Sequence, residues 1–259
     1  MIGRHDHLVA RIRRSLSRDG YHYEPGFCNR EMTMQEREKI IVALANRLGR
    51  LYLPTDQPVI VTSPASEAPE WKPFDRAESI GWHNDFSTKA DKPRFSLSWI
   101  VHEDPGGLDN GAWRLASAEK VIARVREYEG GPALLAEMSG DRVPFGYCDG
   151  GDVSYFRMLE LDNDGQFAGL RFYGRALRDG AALESGAAGR ALVAKVIVAV
   201  EQAADEVGVK CAAVTGALLV VDNWRSLHDR LQQTTEGKLP LRTAILCFAE
   251  SLLCLEASK

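Results

Sequence analysis

Two hydrophobic periods divide the chain. Leu8, Val9, Ile12 and Leu16 recur at helical spacing between His7 and Ser17, and Asp19-Gly20 closes that helix. A short strand is expected at Tyr21 to Tyr23. Thr33-Met34-Gln35-Glu36 is a capping-box pattern that opens a second helix with Ile40, Ile41, Leu44 and Leu48 on one stripe, and Gly49 stops it. Pro58-Val59-Ile60-Val61-Thr62 then reads as a buried strand. Ser63 to Glu78, rich in Pro, Glu and Ser, keeps no period and is expected to form a long loop of the kind used for lids and binding loops.

Period two returns at Arg94 to Val101, which places Phe95, Leu97, Trp99 and Val101 on an inner face before Pro105-Gly106-Gly107 breaks the strand. Val121, Ile122, Val125 and Tyr128 predict a helix between Ala116 and Tyr128, closed by Gly130-Gly131-Pro132. A hairpin is expected where Tyr155 to Leu161 meets Gln166 to Tyr173 across Asn163-Asp164-Gly165, since Asp-Gly suits the positive dihedrals of a tight turn. The longest helix is expected from Ala187 to Val207, with Leu192, Val193, Val196, Ile197, Val200 and Ala204 on one side. Ala217 to Val221 is a continuous apolar strand and Arg242 to Phe248 is the last one. No repeat, low-complexity segment or linker divides the sequence, so the pattern predicts one domain over residues 1–259, mainly β with helices packed outside.

Composition narrows the function classes. The 259 residues are 45% hydrophobic, enough for a substantial core. A net charge of −4 with both signs interspersed gives no footprint for nucleic acid, and Arg11-Ile12-Arg13-Arg14 reads as the solvated face of a helix. No apolar run approaches the ~20 residues needed to cross a bilayer, and no signal-peptide core follows Met1 to Asp6; the expectation is a cytoplasmic protein with no membrane partner. Cys28, Cys148, Cys211, Cys247 and Cys254 are odd in number, widely spaced and form no C-x-x-C pair, so they read as reduced thiols.

Candidate chemistry gathers at Trp82-His83-Asn84-Asp85. On a strand His83 and Asp85 point the same way and can share one metal ion, and a third ligand must come from a distant stretch. His228, delivered by the apolar strand at Ala217 to Val221, is the candidate. Two histidines and one carboxylate on one face of a metal leave its other positions open, the arrangement of non-haem Fe(II) oxygenases. The His-x-Asp pattern alone is cheap in a chain with six histidines. His102-Glu103-Asp104 repeats it against a turn, where a strand-end polar residue is the simpler reading, and His22-Tyr23-Glu24 is a Glu version that precedes the core segments.

The motifs Trp82-His83-Asn84-Asp85, Pro105-Gly106-Gly107, Asp222-Asn223-Trp224-Arg225-Ser226-Leu227-His228-Asp229-Arg230 and Arg242-Thr243-Ala244-Ile245 together resemble the ordered signatures of the taurine dioxygenase and clavaminate synthase-like family. These are Fe(II)- and 2-oxoglutarate-dependent oxygenases. The order of segments agrees from about Tyr21 to Phe248. The resemblance implies a double-stranded β-helix (jelly-roll, cupin-like) core with His83, Asp85 and His228 as ligands of Fe(II). It implies 2-oxoglutarate and O2 as cosubstrates, with Arg242 forking onto the far carboxylate of 2-oxoglutarate. Lys238 lies four residues before Arg242, a spacing at which some members divide cosubstrate and substrate between two basic residues, so those roles stay open between the two. Many members carry a Thr shortly after the Gly-Gly pair; here Asn110 is the candidate to replace it. With a carboxylate at Asp85 the resemblance implies hydroxylation, or another oxidation such as desaturation, rather than halogenation.

The expected substrate is a small anionic or zwitterionic molecule, such as an amino acid or biosynthetic intermediate. Arg230 would share the face of His228 and meet a substrate anion, or else pair with a surface carboxylate; Arg225 is open to the same two readings. Trp82 either walls the substrate pocket or packs in the core. The competing function class is a cupin-like zinc hydrolase or isomerase, which uses the same three ligands and has no need of Arg242. A third is a binding module whose histidines are core residues.

Overall fold

Four layers are stacked in the molecule. The computed structural model describes residues 2–28, 31–62, 77–140, 142–150, 152–236, 239–240 and 242–250. In chain order, α1 (Ile2–Asp19), β1 (Tyr21–Glu24), α2 (Met34–Leu48), β2 (Arg50–Tyr52) and β3 (Val59–Thr62) are followed by β4 (Phe95–His102) and β5 (Trp113–Ser117). Then come α3 (Ala118–Glu127), α4 (Gly131–Gly140) and four short strands, β6 (Arg142–Phe145), β7 (Ser154–Arg157), β8 (Leu159–Leu161) and β9 (Phe167–Leu170). Helices α5 (Gly174–Glu184) and α6 (Ala187–Val207) lead to β10 (Val209–Cys211), β11 (Leu218–Asp222), β12 (Ser226–Arg230), β13 (Thr235–Glu236), β14 (Leu239–Pro240) and β15 (Thr243–Glu250).

Strands β1, β11, β4, β15 and β2 lie side by side in that order, every pair antiparallel, and β3 also pairs with β15. A second antiparallel sheet has the order β10-β5-β12. The two sheets meet face to face where Ile100, Leu219, Val221 and Ala244 pack on Trp113 and Leu115. Helices α1 and α2 cover the far side of the larger sheet, setting Ile12, Ile41 and Leu44 against Leu97, Trp99, Val220 and Ile245. Helices α3 to α6 cover the far side of the smaller one, with Val121, Val125, Val196 and Val200 around Ala116 and Leu227. This is the expected double-stranded β-helix core with flanking helices.

The sequence pattern found the main strands of the larger sheet, but not those of the smaller one and not which face holds the site. In β4 the apolar set Leu97, Trp99 and Val101 faces the two N-terminal helices, while the polar set Ser96 and Ser98 turns inward and lines a cavity between the sheets. The capping box forms as expected: Thr33 Oγ1 accepts from Glu36 N, and the Glu36 carboxylate accepts from Thr33 N at 2.8 Å.

One expectation needs correction. The hairpin is shorter than Tyr155 to Tyr173. Strand β7 pairs with β6, and only β8 pairs with β9 across the Asp-Gly turn, where Gly165 takes φ +74°. Fully buried Met158 separates the two pairings. Gly130-Gly131-Pro132 follows the end of α3 as expected, and the same run also opens the next helix. Gly130 turns the chain at φ +73° and Pro132 sits in the first turn of α4, where its missing N–H breaks no helical bond. Gly131 is required there, since a Cβ would lie 2.1 Å from the Val125 carbonyl oxygen. The expected lid loop at Ser63 to Glu78 falls, from residue 63 to residue 76, outside the described residues.

Candidate metal centre

His228 sits inside β12, held by the ladder to β5. His83 is not on a regular strand. It makes a single antiparallel bridge to His228, with backbone N–H···O bonds of 3.0 Å in both directions, and a second bridge to Tyr173. Asp85 opens a turn, and the next residue, Phe86, takes φ +56°, a conformation that side chains other than glycine adopt at a cost.

Two asparagines hold this irregular stretch. Asn223, fully buried, accepts from Asp85 N and donates to Asp85 O, both at 2.8 Å, so its side-chain amide stands in for a partner strand. Asn84 does the same one residue earlier: its Oδ1 accepts from Phe172 N and its Nδ2 donates to Ser226 O, both at 2.7 Å. Backbone polar groups that would otherwise be buried unpaired are satisfied, and the carboxylate is fixed in place.

The outcome is convergence. His83 Nε2 lies 3.6 Å from Asp85 Oδ1, His228 Nε2 lies 3.5 Å from Asp85 Oδ2, and the three ligand atoms fall within 4.8 Å of one another. The side chains are about nine-tenths buried. His83 Nδ1 is 2.8 Å from Gly81 O, which makes it the protonated nitrogen and turns Nε2 toward the shared point. Burial would push the Asp85 carboxyl up, but the two imidazoles, His228 foremost, hold it well below the usual carboxylate range. Burial pushes His228 down; at His83 burial is again the largest single influence, but the hydrogen bond and charge of Asp85, the Gly81 carbonyl and Asp229 together outweigh it and the group is raised. One carboxylate thus favours a proton on one of two imidazoles. A divalent ion at the shared point would replace that proton, and two imidazole nitrogens with one carboxylate oxygen suit Fe(II) and equally Zn(II).

Arg242 decides more. It is 6% exposed and opens into the cavity that His83, Asp85 and His228 line, together with Ser96, Ser98, Trp113 and Arg230. Its Nη1 donates to Gly111 O at 2.6 Å, and its Nε has no hydrogen-bond partner among the described residues. Burial and the neighbouring Arg230 guanidinium push Arg242 down to about 9. The cavity therefore holds the Arg230 and Arg242 guanidiniums beside the Asp85 carboxylate. A wider cleft of about 510 Å³ shares Ile80, His83 and Asp85 with this cavity and is walled by Phe86, Tyr147 and Tyr173, carrying Lys89, Arg175 and Asp149.

The other candidates are placed as follows. Arg230 lines the Arg242 cavity rather than the wider cleft, and its Nη1 donates to the Ala77 and Leu231 carbonyls. Trp82 walls neither space. Alternation turns it away from its neighbour His83 into the helix-covered core, 3% exposed, with Nε1 donating to Asp205 at 2.8 Å. Arg225 pairs with Glu119 on the surface. Asn110 bonds Thr234 Oγ1 and is not among the residues that line either space. His102 is exposed at the end of β4, and His22 is buried against Ser15. Lys238 lies outside the described residues.

Sequence reasoning missed Tyr147, Asp149, Tyr173 and Arg175. Their only signal was an aromatic and a charged residue two apart, Tyr147-Cys148-Asp149 and Tyr173-Gly174-Arg175, outside any strand.

No protein-family model matches the chain, and no curated protein matches it. Solved structures do. Asparagine oxygenase in complex with Fe(II), 2S,3S-3-hydroxyasparagine and succinate matches with a TM-score of 0.71 over 94% of this chain and 78% of its own, at 17% identity. The non-haem iron oxygenase OrfP, in complex with Fe, succinate and (3S)-hydroxy-L-Arg, matches at 0.64 over 98% and 82%, with 13% identity. PvcB, an Fe, alpha-ketoglutarate dependent oxygenase from an isonitrile synthetic pathway, matches at 0.61 over 93% and 79%, with 15% identity. The chain has the double-stranded β-helix fold of the Fe(II)- and 2-oxoglutarate-dependent oxygenases.

Proposed function

We propose that this protein is an Fe(II)- and 2-oxoglutarate-dependent oxygenase that hydroxylates, or otherwise oxidises, a C–H bond of a small amino-acid-like zwitterion, with release of succinate and CO2. The observation that carries this reading is Arg242, a buried guanidinium whose Nε has no partner among the described residues, in the same cavity as three converging metal donors. A zinc hydrolase gains nothing from such a group.

His83, Asp85 and His228 would hold the metal, which when bound supplies the redox chemistry that couples O2 and 2-oxoglutarate to substrate oxidation. Arg242 offers a planar fork to the far carboxylate of 2-oxoglutarate, and Trp113, Leu219, Val221, Leu246 and Phe248 wall that cavity against water. The wider cleft is of a size that takes an amino acid, and its mixture of Lys89, Arg175 and Asp149 suits a molecule with both charges. Asparagine oxygenase and OrfP, whose structures hold hydroxylated amino acids, support that class.

The test is succinate release by the Fe(II)-reconstituted protein across amino acids, sulfonates and phosphonates. Substrate-stimulated succinate that disappears in Arg242→Ala supports the reading. No binding of 2-oxoglutarate and no succinate with any of them would overturn it.

A further inference from the structure

We infer that Asp229 is a positioning residue for the His83 ligand, a role that rests on the metal-binding reading above. Asp229 follows His228 in β12, and alternation turns it to the opposite face, where it is fully buried. It is not a metal ligand; its oxygens are taken up by other donors. Ser79 Oγ lies 2.9 and 3.0 Å from them, Gly81 N donates at 2.8 Å, and Arg114 donates through Nε at 3.0 Å and Nη2 at 2.7 Å.

The Gly81 contact gives the carboxylate a reach to the metal point. Gly81 has φ +82°, in the left-handed region, and the carbonyl of this same residue takes the His83 Nδ1 proton at 2.8 Å. By gripping the Gly81 amide, Asp229 orients the Gly81 carbonyl, which sets the tautomer and tilt of the imidazole and presents Nε2 to the shared point. Ser79 Oγ backs this up, lying 3.3 Å from the same Gly81 N. One carboxylate thereby joins the two ligand-bearing stretches: it belongs to the strand of His228 and holds the turn before His83. Arg114, its register partner on β5, supplies the charge that lets the carboxylate be buried, and it continues to Asp205 of α6 at 2.7 Å.

The test is anaerobic Fe(II) titration of Asp229→Asn, with the visible absorption of the Fe(II)–2-oxoglutarate complex as a second readout, neither of which needs turnover. An asparagine cannot accept from both Gly81 N and Arg114, so Fe(II) affinity should fall about 10- to 100-fold and the absorption band should shift. Asp205→Asn, at the outer end of the same ion network, should lose stability yet bind Fe(II) like the wild type. If Asp229→Asn does not fold, Ser79→Ala carries the test with an expected loss of severalfold. A folded Asp229→Asn, or failing that Ser79→Ala, with wild-type affinity and an unshifted band overturns the inference. Wild-type protein that binds no Fe(II) would instead overturn the functional reading itself.

Discussion

Replacing Arg242 with methionine should move two quantities in opposite directions. The guanidinium is 6% exposed, has among the described residues one hydrogen bond, to Gly111 O, and shares its cavity with Arg230. Its depression from 12.5 to about 9 implies that burying this charge without an anion costs on the order of 5 kcal/mol. Methionine removes that cost. It gives up the Gly111 contact, worth about 2 kcal/mol for a charged donor, and the stacking 5.7 Å from the Trp113 ring centroid, worth about 1 kcal/mol. The balance favours the variant by about 2 kcal/mol, so the metal-free Arg242→Met protein should melt about 4–8 °C above the wild type. In binding the sign reverses. Leaving the far carboxylate of 2-oxoglutarate buried without its partner costs about 3–5 kcal/mol, and Kd should rise by at least roughly 100-fold. Thermal unfolding in chelator, followed by circular dichroism, gives the first quantity. Anaerobic calorimetric titration of 2-oxoglutarate into the Fe(II) protein gives the second. A variant that binds 2-oxoglutarate within threefold of the wild type, or melts more than about 10 °C below it, would refute the argument, the latter by showing that Arg242 is part of the framework.

Three further predictions follow from the same geometry. Fe(II) should raise the melting temperature of the wild type and of His102→Ala, whose ring is exposed at a strand end, but not that of His83→Ala or His228→Ala; iron lost from His102→Ala and kept by His83→Ala would reassign the site. Asn223→Ala removes the clamp on both backbone groups of Asp85 and a bond to Pro93 O, which should cost about 2–4 kcal/mol in denaturant unfolding and weaken Fe(II) binding; an Fe(II) affinity equal to wild type would separate the clamp from the metal site. Arg175→Gln, on the wall of the wider cleft, should raise the KM of the organic substrate about tenfold while leaving 2-oxoglutarate affinity unchanged, and a shift in the latter instead would move Arg175 to the other cavity.

The parts legible in the sequence were those in which side-chain period and backbone agree. Helix α6 shows its apolar stripe over six turns and β11 is an unbroken apolar run, so both were found close to their observed bounds. The metal donors were found because their residue types are chemically narrow. What escaped was set by context. The polar face of β4 reads as a solvent face, yet a second sheet lies over it and turns Ser96 and Ser98 into cavity walls. Trp82 was open to pocket or core, and only the position of α6 decides for core. Helix α5 went unseen because its first residues were next to a hairpin drawn too long, and α4 because a Gly-Gly-Pro run is both a stop and a start.

The site explains why the donors could not all be placed on regular strands. A strand offers side chains at fixed alternate positions, and both of its edges are committed to ladder bonds. Bringing His83 beside His228 takes one bridge, but tipping the Asp85 carboxylate to within 3.6 Å of both imidazoles takes a turn, which abandons the ladder within the protein interior. Backbone groups in and around that irregular stretch then need partners: Asn223 supplies them to Asp85, Asp229 to Gly81, and Asn84 to Phe172 and Ser226 beside it. All three are within two residues of a donor or of the β11–β12 turn. The short motifs around the histidines therefore encode more than ligands: they carry the hydrogen-bonding groups that let an irregular backbone survive in a buried site.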